Sequence, residues 1–384
     1  MSEFRQMQLL RLATVLSFML AIVNHLLPPK AFAATQLLFD YSQGFARRGL
    51  VGQALDFLLG ATVSVGEIYL TAALITLVGA FGLFVFLSRN LPETRSAYMV
   101  IILALNSFAF ASFVGNTGYL DGLLLVIAVV ALSIDGRGWS GGLARLGLVA
   151  LGVLIHENML PYFAVLIGFD LWLARKGSRD ARVVALLPVV VGAVTLALLV
   201  AFARFTPEQA QAFADGLQAR AAFGLDPNST VVVGRSIGDN FALMSELRGT
   251  TKYWTWVLFD GAPLFLMSLW LIWLGRKLLA PGARPLTALL LAGAVLAPLS
   301  LNFIAFDVVR FGVVSTLAGF MVIALLIRHD PEARARLEQV LSWPLFVVLL
   351  VLNANIFTMQ VNILSGHTSQ FPWVLLTQLK WFSP

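Results

Sequence analysis

Three side chains in one short stretch, Asp40, Arg47 and Arg48 of FDYSQGFARRGLVG (residues 39–52), are of the types needed to handle a phosphorylated substrate. Adjacent guanidinium groups grip phosphate through paired N–H donors, and a carboxylate can take a proton from an attacking hydroxyl. Three more places repeat the theme: GNTGYLDG holds Asp121, LIHENMLP holds His156 and Glu157, and NFIAFDVVRF holds Asp307 and Arg310. Each also has a structural reading. Arg47 and Arg48 can anchor anionic lipid headgroups. Asp121 opens an apolar run and can satisfy the free N–H groups of a helix start. Asp307 and Arg310 are three apart, the spacing at which side chains meet on one helix face. His156 and Glu157 are adjacent, so on one helix they would diverge by about 100° and would not form a metal pair by themselves.

The elements that must position these residues are membrane helices. The 384-residue chain is 59% hydrophobic and only 12% charged, against about 25% charged in soluble domains. A run of about 20 apolar residues crosses the hydrocarbon core as a helix. Such runs fall at residues 8–28, 66–88, 97–134, 143–174, 183–204, 254–275, 285–327 and 343–358. Three of them, 97–134, 143–174 and 285–327, are too long for one helix and are flanked by Arg-rich loops on both sides, so each is expected to fold back on itself. The expected fold is therefore all-α, a polytopic integral membrane protein forming one domain over residues 1–384. It has about eleven transmembrane helices, a cytoplasmic N-terminus and short surface helices in the first outer loop. Arg5 and Arg11, an apolar core and the AFA at 31–33 imitate a cleavable signal peptide, which is read here as an uncleaved first helix.

In this orientation Asp40, Arg47, Arg48, Asp121, His156, Glu157, Asp307 and Arg310 all face the outer side of the membrane. A longer and more polar outer stretch, residues 205–253, is expected to serve as a lid or acceptor groove. The net charge of +6 comes mainly from Lys and Arg in short loops between apolar runs, a topology signal that gives no nucleic-acid patch. No cysteine is present, which removes thiol nucleophiles and Cys-based metal sites. No Walker motif, nucleotide-binding glycine pattern or HExxH occurs.

An acidic residue in the first outer loop, after the first membrane helix and before surface helices, resembles the layout of the GT-C fold superfamily of membrane glycosyltransferases. GFARRGLVG, the His156–Glu157 pair and FDVVR at 306–310 look similar to small bacterial GT-C-like envelope proteins. The resemblance implies a polyprenyl-phosphate-linked sugar donor, a glycan or lipid acceptor, and Asp40 as the catalytic base. A second acid does not follow Asp40, so the resemblance leaves metal use open. Transfer from such a donor needs cations for the departing phosphate, a role that falls to Arg47, Arg48 and Arg310. Asp121, His156, Glu157 and Asp307 then orient sugar or acceptor, and a divalent metal is a further role for the first three. A polysaccharide polymerase of the O-antigen type, an O-acyltransferase using His156 and a membrane transporter are the competing classes.

Overall fold

The computed structural model describes residues 3–353 except 61, 204, 236 and 306. Among the described residues there is no β-strand, and an isolated parallel bridge joins Val63 to Ala221. This follows from the solvent: in hydrocarbon a backbone N–H or C=O must find its partner inside the chain, and a helix does so locally. Among the described residues, six helices are long and apolar enough to cross a membrane: Phe4–His25, Val65–Asn90, Ala181–Phe202, Thr251–Leu278, Pro285–Phe303 and Val308–His329. A seventh is added if Pro331–Val340 and Trp343–Asn353, bent by 82°, count as one span. The end of the run at 343–358 lies outside the described residues, as does the C-terminus.

All three over-long runs are broken. Residues 97–134 divide into Arg95–Leu105, Phe108–Gly115 and Asp121–Ser133. The last break turns on Gly118, whose φ of +85° suits glycine and whose N–H donates to Thr76 Oγ1 at 3.2 Å. Residues 143–174 divide at His156 into Trp139–Ile155 and a return helix, which opens with the π-helical turn Leu160–Ala164 and continues as Val165–Ala174. Residues 285–327 divide into Pro285–Leu296, the 3₁₀ stretch Ala297–Phe303 and Val308–His329. Several pieces are shorter than a full crossing.

The chain forms two compact units. One comprises Met1–His25, Phe84–Phe113 and Asn240–Pro384; the other comprises Leu26–Leu83 and Val114–Asp239. In the former, helices Ala262–Leu278 and Val308–His329 approach closely. A Cβ added at Gly312 would lie 2.9 Å from Leu264, and one at Gly319 would lie 2.7 Å from Leu271. Ser315 Oγ donates to the Val295 carbonyl at 2.7 Å in the same core. Small residues and hydroxyls are what let membrane helices gain dispersion contact, because lipid tails supply no hydrophobic drive.

The latter unit is built on helices Trp139–Ile155, Val165–Ala174 and Ala181–Phe202. Arg145, a flanking charge in the sequence pattern, is sealed inside it: its Nη1 donates to Asp170 Oδ2 at 2.6 Å, and neither side chain is more than 1% exposed. A lone charge at that depth would be strongly unfavourable, so each partner makes the other tolerable.

Candidate functional site

The site begins with a close backbone approach. Helix Gly49–Leu59 starts against residues 39–41, where a Cβ on Gly49 would overlap the Tyr41 ring and one on Gly52 would overlap the Phe39 carbonyl. Two glycines three apart therefore let the helix lie on the segment that carries Asp40. Gln53 Oε1 accepts the Tyr41 N–H at 3.2 Å and fixes the contact.

Asp40 is only 2% exposed, and both its oxygens are engaged. Oδ1 accepts the Ser42 backbone N–H at 3.0 Å and the Ser42 hydroxyl at 2.7 Å; Oδ2 accepts from Arg220 Nη1. Arg220 reaches a second carboxylate as well, with Nη2 at 2.8 Å from Asp56 Oδ1. Its main chain is pinned: the Val63 N–H donates to the Arg220 carbonyl at 2.8 Å, and the Ala222 N–H donates to the Val63 carbonyl at 3.0 Å.

These bonds belong to a wider seam. Phe213 meets Phe39 edge-on with centroids 5.2 Å apart, the Asp226 N–H donates to Thr35 Oγ1 at 2.9 Å, and Ser229 Oγ donates to the Phe32 carbonyl at 3.1 Å. Arg47 Nη2 donates to the Arg235 carbonyl at 2.7 Å. Helices Pro207–Arg220 and Pro227–Gly234 thus dock on the first loop. The stretch 205–253 expected to act as one region divides, residues 205–239 belonging to this unit and 240–253 to the other.

Arg48 points elsewhere. Its Nε donates to Glu157 Oε1 and Oε2 at 3.2 and 3.1 Å, and Nη2 also bonds Oε1. Arg48 has φ +65°, the left-handed region that side chains with a Cβ disfavour by about 1–2 kcal/mol. Strain held in place by surrounding contacts gathers at functional sites.

His156 and Glu157 lie between two helices and do not share one. His156 leaves helix Trp139–Ile155 in an extended conformation, so the pair occupies a turn and both members can face one cluster. His156 Nδ1 stands 3.1 Å from the Asn158 nitrogen, whose N–H it accepts in the neutral ring, and 3.3 Å from Glu157 Oε2, to which it donates when that nitrogen carries a proton. Burial pushes the His156 ring down, Arg48 pushes it further, and Glu157 and Asp121 oppose them. Burial alone would raise Glu157, yet Arg48 and His156 outweigh it and hold its carboxyl well below the usual carboxylate range. Asp121, 6% exposed and first in helix Asp121–Ser133, acts electrostatically on this same His156. The helix start draws no side-chain cap bond from the preceding residue, Leu120.

Of the eight sequence candidates, Arg48, His156 and Glu157 are therefore in direct contact, and Arg47 and Asp121 act on them electrostatically. Asp40 belongs to the same unit but is tied to Arg220, which also holds Asp56. Asp307 and Arg310 belong to the other unit, where Asp307 caps its helix through the Arg310 N–H at 3.2 Å and pairs with Arg310 Nε at 3.3 Å. Among the described residues, no three His, Cys, Asp or Glu side chains group as metal ligands. Arg220 and Asp56 were not singled out from sequence. Arg220 lies in the stretch 205–253 that the sequence pattern places outside, and like Arg47 and Arg48 it runs against the expected inward bias of positive charge, the signal that could have found it.

The fold defines an all-helical polytopic membrane protein. Comparison with family models, with curated proteins and with solved structures gives no match.

Proposed function

We propose that this is a membrane glycosyltransferase that moves a sugar from a polyprenyl-phosphate-linked donor to an acceptor hydroxyl on the outer face of the cytoplasmic membrane. In this reading the chain makes eleven membrane segments with its N-terminus in the cytoplasm. The observation that carries it is the convergence of Arg47 and Arg48 with Asp121, His156 and Glu157 from two distant turns, with Arg48 held in a strained backbone geometry. Two cations balanced by two carboxylates do not form an open anion trap. The donor phosphate must therefore compete with Glu157 for the Arg48 fork, and it becomes worth binding only when its own charge replaces that of Glu157.

The acceptor oxygen attacks the anomeric carbon, the bond from that carbon to the phosphate oxygen breaks, and the phosphate leaves with the electron pair. Asp40 takes the hydroxyl proton once Arg220 gives up Oδ2. Arg47 and Arg48 stabilise the charge that grows on the leaving phosphate. His156, held by Asn158 and Glu157, offers a ring N–H that orients sugar or acceptor.

The test compares envelope glycans by mass spectrometry in cells lacking the protein and complemented with wild type, Asp40→Asn, Arg48→Gln or Arg220→Gln, at equal protein accumulation. A sugar mass absent from the deletion, Asp40→Asn and Arg48→Gln strains but still present with Arg220→Gln supports the assignment. Restoration by Asp40→Asn removes Asp40 as base. Equal loss in Asp40→Asn and Arg220→Gln reduces their ion pair to a structural clamp.

A further inference from the structure

At the other end of helix Trp139–Ile155 from His156, about 25 Å away at 1.5 Å per residue, lies a groove that the transferase reading does not use. Its walls are Trp139, Leu143 and Leu146 from that helix, Leu171 from the return helix, and Leu187 from Ala181–Phe202. It is a shallow cleft, with a cavity volume of about 30 Å³, so an acyl chain would lie along it and not inside it. Trp139 is 65% and Leu143 64% exposed, so the groove opens sideways from apolar helices.

Arg175 also lines it. The residue is only 9% exposed. Its Nε donates to the Gly136 carbonyl at 3.1 Å, its Nη1 to Asp180 Oδ2 at 2.6 Å, and its guanidinium lies 5.0 Å from the Trp139 ring centroid. Nη2 is buried and makes no hydrogen bond. A buried guanidinium N–H without an acceptor is unfavourable, and an incoming oxygen would relieve it. The turns around it are basic: Arg137, Lys176, Arg179 and Arg182 are all exposed, while Asp180 is already committed to Arg175 and Asp135 caps the Arg137 N–H.

We propose that this groove binds one anionic phospholipid, with an acyl chain along Leu143, Leu146 and Leu187 and the headgroup phosphate among the basic turns and on Arg175 Nη2. Trp139 covers the guanidinium, so the ring swings aside as the phosphate arrives, and its indole then lies at headgroup level, where such rings settle. The charge argues for an anionic over a zwitterionic lipid, since a zwitterion brings its own cation to a site already rich in them. The inference stands apart from the transferase reading.

The experiment is native mass spectrometry on the purified full-length protein, exposed to mixed micelles of phosphatidylglycerol and phosphatidylcholine in equal amounts. One phosphatidylglycerol is expected to stay bound in preference to phosphatidylcholine. Leu143→Trp fills the groove from an exposed position without touching the ion pairs and should abolish that retention; Leu198→Trp, equally lipid-facing but off the groove, should leave it intact. Replacing Arg179 and Arg182 by Gln should weaken retention roughly twenty-five-fold, at about fivefold per charge. Equal retention of the two lipids, or undiminished phosphatidylglycerol in Leu143→Trp, would overturn the proposal.

Discussion

Arg48 and Glu157, 109 positions apart in the chain, meet as a guanidinium fork on a carboxylate, and Arg48 adopts a left-handed backbone to make the contact. The bond joins the first loop to the turn at His156 and so fixes where two chemically able segments face each other.

Arg48→Ala and Arg48→Gly both leave Glu157 without its guanidinium, at a loss of about 3 kcal/mol. They should differ from each other. Glycine relaxes in the left-handed region and alanine does not, so the glycine variant should be the more stable by about 1 kcal/mol. Thermal midpoints of the purified variants in one detergent measure this, and equal midpoints would sink the strain argument.

Asp40 and Arg220 should be strongly coupled. Asp40→Asn and Arg220→Gln should each destabilise the protein, and the double variant should be less destabilised than their sum by about 1–3 kcal/mol. Additive losses in a denaturation cycle would show that the pair does not act as a unit.

Stability should fall on acidification in two stages. The folded state holds His156 below its ordinary value of 6.5, so the unfolded chain takes up that proton first and stability declines as pH drops through 6.5 towards the lowered value. Glu157 is held well below 4.5, so its contribution is intact above that value and is lost as pH falls through its depressed folded value. His156→Gln should remove the first stage and keep the second. Midpoints recorded at steps from above 6.5 to below 4.5 report both, and an unchanged first stage in His156→Gln would assign it to another group.

Gly52→Ala and Gly66→Ala form a matched pair. The first would drive a Cβ into the Phe39 carbonyl, and overpacking of this kind typically costs about 1–3 kcal/mol. The second meets nothing within 4 Å in a helix and should gain about 0.5–1 kcal/mol from helix propensity. The order of their melting points checks the packing of helix Gly49–Leu59 on Asp40.

Much of this architecture is legible in local pattern. Apolar length and flanking arginines locate the three fold-backs, because both are properties of a short window. The convergence of Arg47 and Arg48 with His156, Glu157 and Asp121 follows only in outline, since all are ionisable groups at loop ends. The partners of Asp40 are not legible. The bias of positive charge marks Arg220 as unusual, yet nothing within a few residues shows that its guanidinium will close on a carboxylate 180 positions earlier. The same limit hid the role of Arg145, whose neighbours read as a loop flank although Asp170 draws it inside. Helical geometry at 156–157 also escaped the pattern, because an apolar run gives no warning that one residue turns extended.

The bridge between Val63 and Ala221 has a consequence for biosynthesis. Asp40 leaves the ribosome 180 residues before Arg220, which at typical elongation rates is about 9–36 s. Through that interval the helices in between are inserted while the first loop waits with an unpartnered acid and an uncovered Phe39. The loop is made early and closed late, so a pause or truncation before residue 220 leaves the Asp40 segment as the one open to proteases and chaperones.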